Sequence, residues 1–400
     1  MGLVGEAVLL VLCVPVVIWS LYLAVLSALS WPPVPPRAPS PPALRFDFVV
    51  PAHDEALGIA ATVRSLLAVD YPRELFRVIV VADNCSDDTA ELARMEGAVV
   101  LERWSDVMKG KGYALAYGFQ RCLKDGADAL VVVDADTVVS KNLLTAFAAR
   151  LAAGNVAVQA HYGVQNPTAS WRTRLMRIAL SMFHQVRSLG RERLKVSAGL
   201  RGNGMCFRTS LLRSVPHEAY SVVEDLEYGI RLGRRGFRVA YAFEAQVLGE
   251  MVSGEAASRS QRQRWEEGRA QMFREHGWPL LRDAALERSG LLLDLAMDVL
   301  VPPLSRVVGM CLLGGAASTM LLVLTGHGAI ASAVFGLSLL GVGLYVLAGW
   351  LHSGTGIRGL VDLGLAPAYV AWKVLLAFRH RSNGKLTEWV RTTREGETRS

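Results

Sequence analysis

The chain has 400 residues, of which 52% are hydrophobic, and a formal net charge of +7. This hydrophobic fraction is high for a purely soluble protein. The basic residues form no stripe interleaved with aromatic side chains, so we expect anionic lipid head groups as partners rather than nucleic acid. The five cysteines are scattered and include no CxxC pair, which argues against a zinc site or a disulfide framework.

Two regions contain no charged residue, 7–36 and 307–357. Because about 20 apolar residues cross a bilayer, the first region predicts one membrane span and the second predicts two. Glu6 precedes the first span, whereas Arg37 and Arg45 follow it. The positive-inside rule then places the N-terminus outside and the residues between the spans in the cytoplasm. We therefore expect a multi-pass protein of the inner cell membrane, lying in the lipid bilayer.

The composition divides the chain into segments. Seven prolines between Trp31 and Pro42 predict a stiff linker. The apolar segment 291–304 also holds Asp294 and Asp298, which favours a helix lying in the membrane interface. We interpret 360–378 in the same way. The predicted segments are an N-terminal anchor (1–30), a proline-rich linker (31–43), a globular domain (44–287), interfacial helices with two spans (288–378) and a cytoplasmic tail (379–400).

The globular domain alternates between predicted strands and helices. The strands are 46–50, 77–81, 98–101 and 129–133, and the helices between them are 57–69, 86–96 and 112–123. Such alternation predicts an α/β fold with a mostly parallel sheet. A helix at 224–234, a strand at 237–243 and a long helix at 256–274 follow. Ligands in such folds bind at the carboxyl ends of the strands, so candidate residues are sought there.

Asp134-Ala135-Asp136 follows a run of four apolar residues. Two carboxylates at a strand end suit a hard divalent cation, Mg or Mn, which shares the phosphates of its substrate. Two solvated acids in a loop are the ordinary alternative, so this pattern is weak by itself.

The other strand ends hold further candidates. Asp83 could accept hydrogen bonds from a base or a ribose, or it could be a helix-capping acid. Ala52 and Glu55 follow the first strand, and Lys111 lies in a glycine-containing turn that could face a phosphate. A GxGxxG turn is absent after the first strand, which disfavours a dinucleotide-dependent oxidoreductase.

Glu224 and Asp225 follow Val222-Val223 at a predicted helix start. A carboxyl group beside apolar residues has a raised pKa, which suits a general base. Acids also favour helix N-termini for purely structural reasons.

Gln261, Arg264 and Trp265 share one face of the long predicted helix. Arginine can clamp a diphosphate, and tryptophan offers a flat face to a sugar. An amphipathic helix resting on the membrane is the alternative interpretation.

The order and spacing of these motifs are more specific than any one of them. Asp83, Asp134-Ala135-Asp136, Glu224-Asp225 and Gln261-xx-Arg264-Trp265, set between an anchor and C-terminal spans, resemble the membrane-bound family-2 glycosyltransferases. These include cellulose, hyaluronan and poly-N-acetylglucosamine synthases and, more distantly, ceramide glucosyltransferase. The resemblance covers roughly 46–267. Residues 80–89 also resemble the family's nucleotide-binding turn, and 202–204 its acceptor-side loop. Val223 stands where many processive members have threonine.

The resemblance implies a GT-A fold and an inverting transfer from a nucleotide-sugar donor, expected to be a UDP-sugar, in a single displacement. The resemblance implies that Asp83 contacts the nucleobase, with Ala52, Glu55 and Lys111 nearby, and that Asp134 and Asp136 hold the ribose or diphosphate through Mg or Mn. It implies that Asp225, beside Glu224, is the general base. It also implies that Gln261 and Arg264 steady the leaving diphosphate and that Trp265 faces the acceptor sugar.

The acceptor is left open between a glycan and a lipid. The leading interpretation is a synthase that extends a polysaccharide and exports it. The alternative is single transfer to a lipid or polyprenyl phosphate. Three spans are few for a channel, so a pore would require interfacial helices, an oligomer or an export partner. A catalytically inactive membrane adaptor is the interpretation from another class, and the presence of every expected acid argues against it.

Overall fold

A computed structural model gives the structure of residues 2–165, 170–249 and 255–365, with side chains for all of these except 255–266. The core is an eight-stranded sheet with the order β3-β2-β1-β4-β7-β6-β8-β5. The strands are β1 (Phe46–Ala52), β2 (Phe76–Asp83), β3 (Val99–Arg103), β4 (Ala129–Val132), β5 (Thr137–Val139), β6 (Ala157–Val164), β7 (Met205–Arg208) and β8 (Ala240–Gly249).

Helices cover the sheet and extend beyond it. They are α1 (Gly2–Ala28), α2 (Ile59–Leu67), α3 (Thr89–Met95), α4 (Lys111–Asp125), α5 (Leu143–Ala152), α6 (Trp171–Leu180), α7 (Arg187–Arg193), α8 (Thr209–Ser214), α9 (Glu224–Arg234), α10 (Glu255–Leu286), α11 (Gly290–Leu300), α12 (Leu304–Thr325) and α13 (Ala329–Ser353). A π-helical segment, Ser181–Val186, joins α6 to α7.

The first half of the sheet is parallel, as the alternating sequence predicts. β1 pairs with β2 and β4, and β2 pairs with β3, all in parallel. Every residue of β1 and β4 is buried because helices cover both faces. The carboxyl ends of these strands therefore meet at one edge of the sheet, as expected for this topology.

The second half of the sheet is mixed, and the sequence analysis does not anticipate it. β7 lies antiparallel between β4 and β6, β8 runs parallel to β6, and β5 runs antiparallel to β8. The predicted strand at 237–243 is the start of β8, which continues to Gly249. β5 and β7 have only three and four residues, too few to show a periodic pattern.

Among the described residues, three helices are long and apolar enough to cross a membrane: α1, α12 and α13. They pack on one another around the buried side chains of Cys13, Val16, Cys311 and Phe335. α12 ends at Thr325, and Gly326 after it has a positive φ of 73°, which reverses the chain before α13.

Helix α11 corresponds to the segment that the sequence assigns to the membrane interface. Its acids are buried inside the protein: Asp294 is 6% exposed and Asp298 is 2% exposed. They form ion pairs with Arg191 and Arg187 of α7 instead.

The C-terminal segments are described only in part. Residues 356–365 are helical, and Asp362 pairs with Arg174 at 2.5 Å. The rest of the predicted segment 360–378 and the tail 379–400 lie outside the described residues.

Candidate functional site

Asp83 is the last residue of β2 and follows Ala82, which pairs in parallel register with Ala52 at the end of β1. It is 1% exposed, and its carboxylate forms an ion pair with Arg103 at the end of β3. Its second oxygen, Oδ2, has no hydrogen-bond partner among the described residues. Asp83 thus links β2 to β3, and its Oδ2 atom can accept a hydrogen bond from another donor.

The loop after β1 is fixed against the turn after β2. The backbone N–H of Glu55 donates to Thr89 Oγ1 at 2.8 Å, and Asp87 accepts from the N–H of Thr89 at 3.0 Å. His53 Nδ1 lies 2.8 Å from the backbone oxygen of Asp83. Helix α3 therefore begins at Thr89, later than the sequence predicts, because Asp87 caps the turn from outside the helix.

The Asp134-Ala135-Asp136 turn is held from both sides. Thr62 of α2 donates to the backbone oxygen of Ala135 at 2.8 Å and accepts from the N–H of Thr137 at 3.1 Å. On the other side, Asn203 accepts from the N–H of Asp134 at 3.2 Å and donates to Thr137 Oγ1 at 2.7 Å. The two acids therefore project from a rigid turn.

The Arg201–Gly204 loop is itself fixed by a buried glutamine. Gln159 of β6 donates to the backbone oxygen of Asn203 at 2.7 Å and accepts from the N–H of Arg201 at 2.9 Å. Gly204 has a φ of 68°, and an added Cβ would lie 2.7 Å from Val247. Only glycine fits this close approach without a shift.

Lys111, at the start of α4, brings the separate motifs together. Its ammonium lies 2.6 Å from Asp134 Oδ1 and 3.5 Å from Glu224 Oε1. It also donates to the backbone oxygen of Gly202 at 2.7 Å. The ammonium of Lys111 thus contacts Asp134, the Arg201–Gly204 loop and Glu224 at the same time.

The acid pair begins α9 and is placed by the packing of the loop before it. An added Cβ at Gly112 would lie 2.2 Å from the backbone oxygen of Ala219. Beside this contact, the rings of Tyr113 and Tyr220 stack at 4.3 Å. The start of α4 is therefore in direct contact with the segment that leads to the acids.

Burial dominates the electrostatics of the acid pair. It raises the pKa of Glu224 and of Asp225 above their usual ranges, although Lys111 opposes the shift. Burial alone would lower the pKa of Lys111, but the carboxylates of Asp134 and Glu224 raise it, so the ammonium stays charged. The arrangement supplies a carboxylate of increased basicity beside a fixed cation.

Comparison with known proteins identifies the family to which this site belongs. Residues 41–268, more than half of the chain, match the family described as Glycosyltransferase like family 2. The chain belongs to this family.

Curated proteins are similar to this chain over part of their length. A beta-monoglucosyldiacylglycerol synthase of Trichormus variabilis is 29% identical over 58% of this chain and 50% of that protein. The cellulose synthase catalytic subunit of Pseudomonas fluorescens is 26% identical over 59% of this chain and 32% of that protein. The chain spans about half the length of the first relatives it matches.

Among solved structures, a mannosyltransferase from Pyrobaculum calidifontis, in complex with GDP-Man and Mn2+, is similar across its whole fold. The likeness has a TM-score of 0.55 and 16% identity, and it covers 87% of this chain and 98% of that one. The expected GT-A fold is thereby confirmed.

The Gln261-xx-Arg264-Trp265 motif lies on α10, the long helix that the sequence predicts. Gln261, Arg264 and Trp265 fall within this helix, and their side chains are outside the described residues. The helix passes the acid pair at Gly268, where an added Cβ would lie 2.6 Å from Val223. The role expected of this motif stays a prediction.

The residues of the site are of a kind that suits a divalent cation. Asp134, Glu224 and Asp225 all act electrostatically on Lys111, and Asp136 follows Asp134 by two residues. Carboxylate oxygens are hard ligands, which suit Mg or Mn. Asp134 is also 28% exposed at its side chain, so it is reachable from solvent.

The sequence analysis does not identify two residues, Thr62 and Gln159, that hold the loops of the site in place. Thr62 lies within an amphipathic helix pattern that gives no sign of its role. Gln159 has a weak signal, since it is a polar residue between apolar neighbours in a strand and is fully buried. Both hold the family motifs in place through backbone hydrogen bonds that no spacing reveals.

Proposed function

We propose that this protein transfers a sugar from a nucleoside-diphosphate sugar to a lipid acceptor at the membrane surface, with inversion at the anomeric carbon. One observation carries the proposal. Lys111 contacts both the Asp134-Ala135-Asp136 turn and the Glu224-Asp225 pair, the two motifs that would bind the diphosphate and supply the base.

The donor would lie along the carboxyl ends of β1, β2 and β4. The unpartnered Oδ2 of Asp83 offers an acceptor to a nucleobase N–H. Lys111 would turn one of its donors to a phosphate oxygen, since an ammonium on a flexible stem can exchange partners. UDP-sugars are the expected donors.

Asp134 and Asp136 would hold a divalent cation, Mg or Mn, together with the donor diphosphate. When bound, the cation neutralises charge that develops on the leaving group.

Asp225 would be the base of the reaction. It takes the proton from the acceptor hydroxyl while that oxygen forms a bond to the anomeric carbon. The bond from this carbon to the diphosphate oxygen breaks, and the nucleoside diphosphate leaves with the electron pair. Because one displacement occurs and no covalent intermediate forms, the anomeric configuration inverts.

Glu224 would support the base rather than replace it. Its carboxylate lies 3.5 Å from Lys111, so it helps to fix that ammonium. In the same site, Arg264 and Gln261 of α10 would steady the departing diphosphate, and Trp265 would face the acceptor.

Packing of the apolar helices favours a lipid acceptor over an exported polymer. The space between α1, α12 and α13 is filled by buried side chains such as Val16, Val307 and Val342. A growing chain would require these helices to separate. A lipid reaches the site from the side and needs no passage between them.

Radiolabelled transfer tests the proposal. The purified protein in nanodiscs of bacterial lipid is given a panel of labelled nucleotide sugars with Mn or Mg. We expect one labelled product that extracts into organic solvent. A water-soluble ladder of increasing length would show polysaccharide synthesis instead, and no binding of any nucleotide sugar would favour the inactive adaptor.

A further inference from the structure

A cluster of buried charges lies between the acid pair and the apolar helices. We call it the arginine cluster. Its members are Arg187, Arg191, Arg201, Arg269, Asp294 and Asp298. Four guanidinium groups thus meet two carboxylates among the side chains that the structure describes. Because charges are costly to bury without partners, this imbalance requires an explanation.

The inner two arginines each form an ion pair with a carboxylate of the cluster. Arg191 is fully buried and pairs with Asp294 at 2.7 Å and with Asp298 at 3.0 Å. Arg187 donates to Asp298 at 3.1 Å and to the hydroxyl of Tyr345 at 2.9 Å. These contacts use the two carboxylates of the cluster.

The outer two arginines are poorly compensated. Arg201 reaches Asp298 only at 4.0 Å, and its Nε has no hydrogen-bond partner among the described residues. Burial lowers the pKa of Arg201 to about 10. Arg269 donates to the backbone oxygen of Asp298 at 2.8 Å, which supplies no formal charge.

A half-buried phenylalanine brings these two groups together. The guanidinium of Arg201 lies 4.3 Å from the ring centre of Phe183, and that of Arg269 lies 4.9 Å from it. Phe183 belongs to the π-helical segment, and neither Phe183 nor Arg269 is fully covered. Arg269 and Phe183 therefore form the side of the cluster that solvent or a ligand can reach, and Arg201, 4% exposed at its side chain, lies directly against the Phe183 ring.

This side of the cluster adjoins the base. Arg201 precedes Gly202, where an added Cβ would lie 3.5 Å from Asp225 Oδ2. The charges of Arg201 and Arg269 both interact with that of Asp225. A group bound to the two guanidiniums would thus be next to the reacting hydroxyl.

The cluster also contacts a helix that is long and apolar enough to cross a membrane. The hydroxyl of Tyr22 in α1 donates to Asp294 at 2.9 Å. Tyr22 lies about two turns before the C-terminal end of α1 at Ala28. The end of a spanning helix lies near the lipid head groups, so the cluster would be within their reach.

We propose that Arg201 and Arg269 bind a phosphate group in the head group of the acceptor lipid. This inference rests on the proposed sugar transfer and names the chemical class of its acceptor. A phosphate supplies the missing negative charge and accepts hydrogen bonds from planar guanidiniums in pairs. It would hold the head group beside Asp225.

Two lipids that differ only in the phosphate test this assignment. Dioctanoyl phosphatidic acid and dioctanoyl glycerol are titrated into the full-length protein in neutral nanodiscs, and binding is followed by tryptophan fluorescence. We expect the phosphatidic acid to bind at least tenfold more tightly. R201Q and R269Q should remove most of this preference and leave the affinity for nucleoside diphosphate with Mn unchanged. R201K should keep part of the preference.

A surface arginine of α10 supplies the matched control. Arg282 is 73% exposed at its side chain, and R282Q should bind both lipids as the wild type does. R269Q keeps the test valid if R201Q fails to fold, because Arg269 is less buried.

Three results would overturn the inference. The wild type could bind both lipids equally, R201Q and R269Q could keep the full preference, or inorganic phosphate could bind as tightly as the lipid. The last result would indicate a site for free phosphate.

Failure of the proposed function has a different signature, since donor binding and sugar transfer would be lost. Efficient transfer to neutral lipids alone would refute the inference and leave the proposed function intact.

Discussion

Replacing Asp298 by asparagine should destabilise the junction between the globular domain and the apolar helices. Asp298 is 2% exposed and lies within 3.1 Å of both Arg187 and Arg191. Asparagine keeps the shape of the side chain but removes one of two negative charges among four guanidiniums. Breaking a buried ion pair from one side costs about 3–5 kcal/mol, because the remaining charge is left uncompensated.

This free energy converts into a measurable shift of the melting temperature. The entropy of unfolding is about 2.1 cal/mol/K per residue, so a globular domain of roughly 240 residues has about 0.5 kcal/mol/K. The expected decrease in the melting temperature is therefore about 6–10 °C. Tryptophan fluorescence during a thermal scan in nanodiscs, at one fixed scan rate, measures it.

Asp283 provides the matched control for this substitution. It pairs with Arg234 at 3.5 Å, and the two side chains are 20% and 36% exposed. Exposed pairs contribute at most about 1 kcal/mol, so D283N should lower the melting temperature by about 2 °C or less. A decrease for D298N no larger than that for D283N would refute the view that the arginine cluster holds the junction together.

Four further predictions concern the site. D225N should lower the transfer rate about 10²–10⁴-fold with donor affinity unchanged, and normal turnover would contradict its role as base. Because burial raises the pKa of Asp225, the wild-type rate should fall toward acid at a higher pH than an ordinary aspartate would give, as the base becomes protonated; a pH–rate profile that falls only in the ordinary range of an aspartate would contradict this. D136A should abolish the Mn-dependent part of nucleotide binding measured by calorimetry, and a variant that keeps it would exclude Asp136 as a ligand. G112A should destabilise by about 1–3 kcal/mol and reduce transfer, because its Cβ would meet the backbone of Ala219, whereas G290A, with nothing within 4 Å, should do neither in the same thermal scan.

The parallel half of the fold is predictable from the sequence because its signals are local. Buried runs such as Val78–Val81 and Leu130–Val133 are separated by amphipathic helices, and this alternation determines strand direction. The three apolar helices are equally clear, because length and lack of charge suffice to predict them. The motif acids fall at strand ends and at a helix start for the same reason.

The mixed half of the sheet and the arginine cluster depend on long-range pairing. β7 lies between β4 and β6 although more than 70 residues separate it from β4 along the chain. In the sequence, Asp294 and Asp298 resemble the polar face of an interfacial helix. In the structure they form ion pairs with Arg187 and Arg191. Sequence periodicity predicts which face of a helix is polar, but it does not predict which residues contact that face.

The position of α1 at one end of the chain has a consequence for biosynthesis. α1 packs against α12 and α13, yet about 275 residues separate it from α12. At roughly 5–20 residues per second, the ribosome needs about 14–55 s to make them. During that time α1 cannot pack against α12 and α13. Arg187 and Arg191 are also synthesised before Asp294 and Asp298 of α11, which neutralise them. Nascent chains stalled before α11 should therefore expose this basic surface to chaperones and proteases, and the junction would be the last part of the molecule to form.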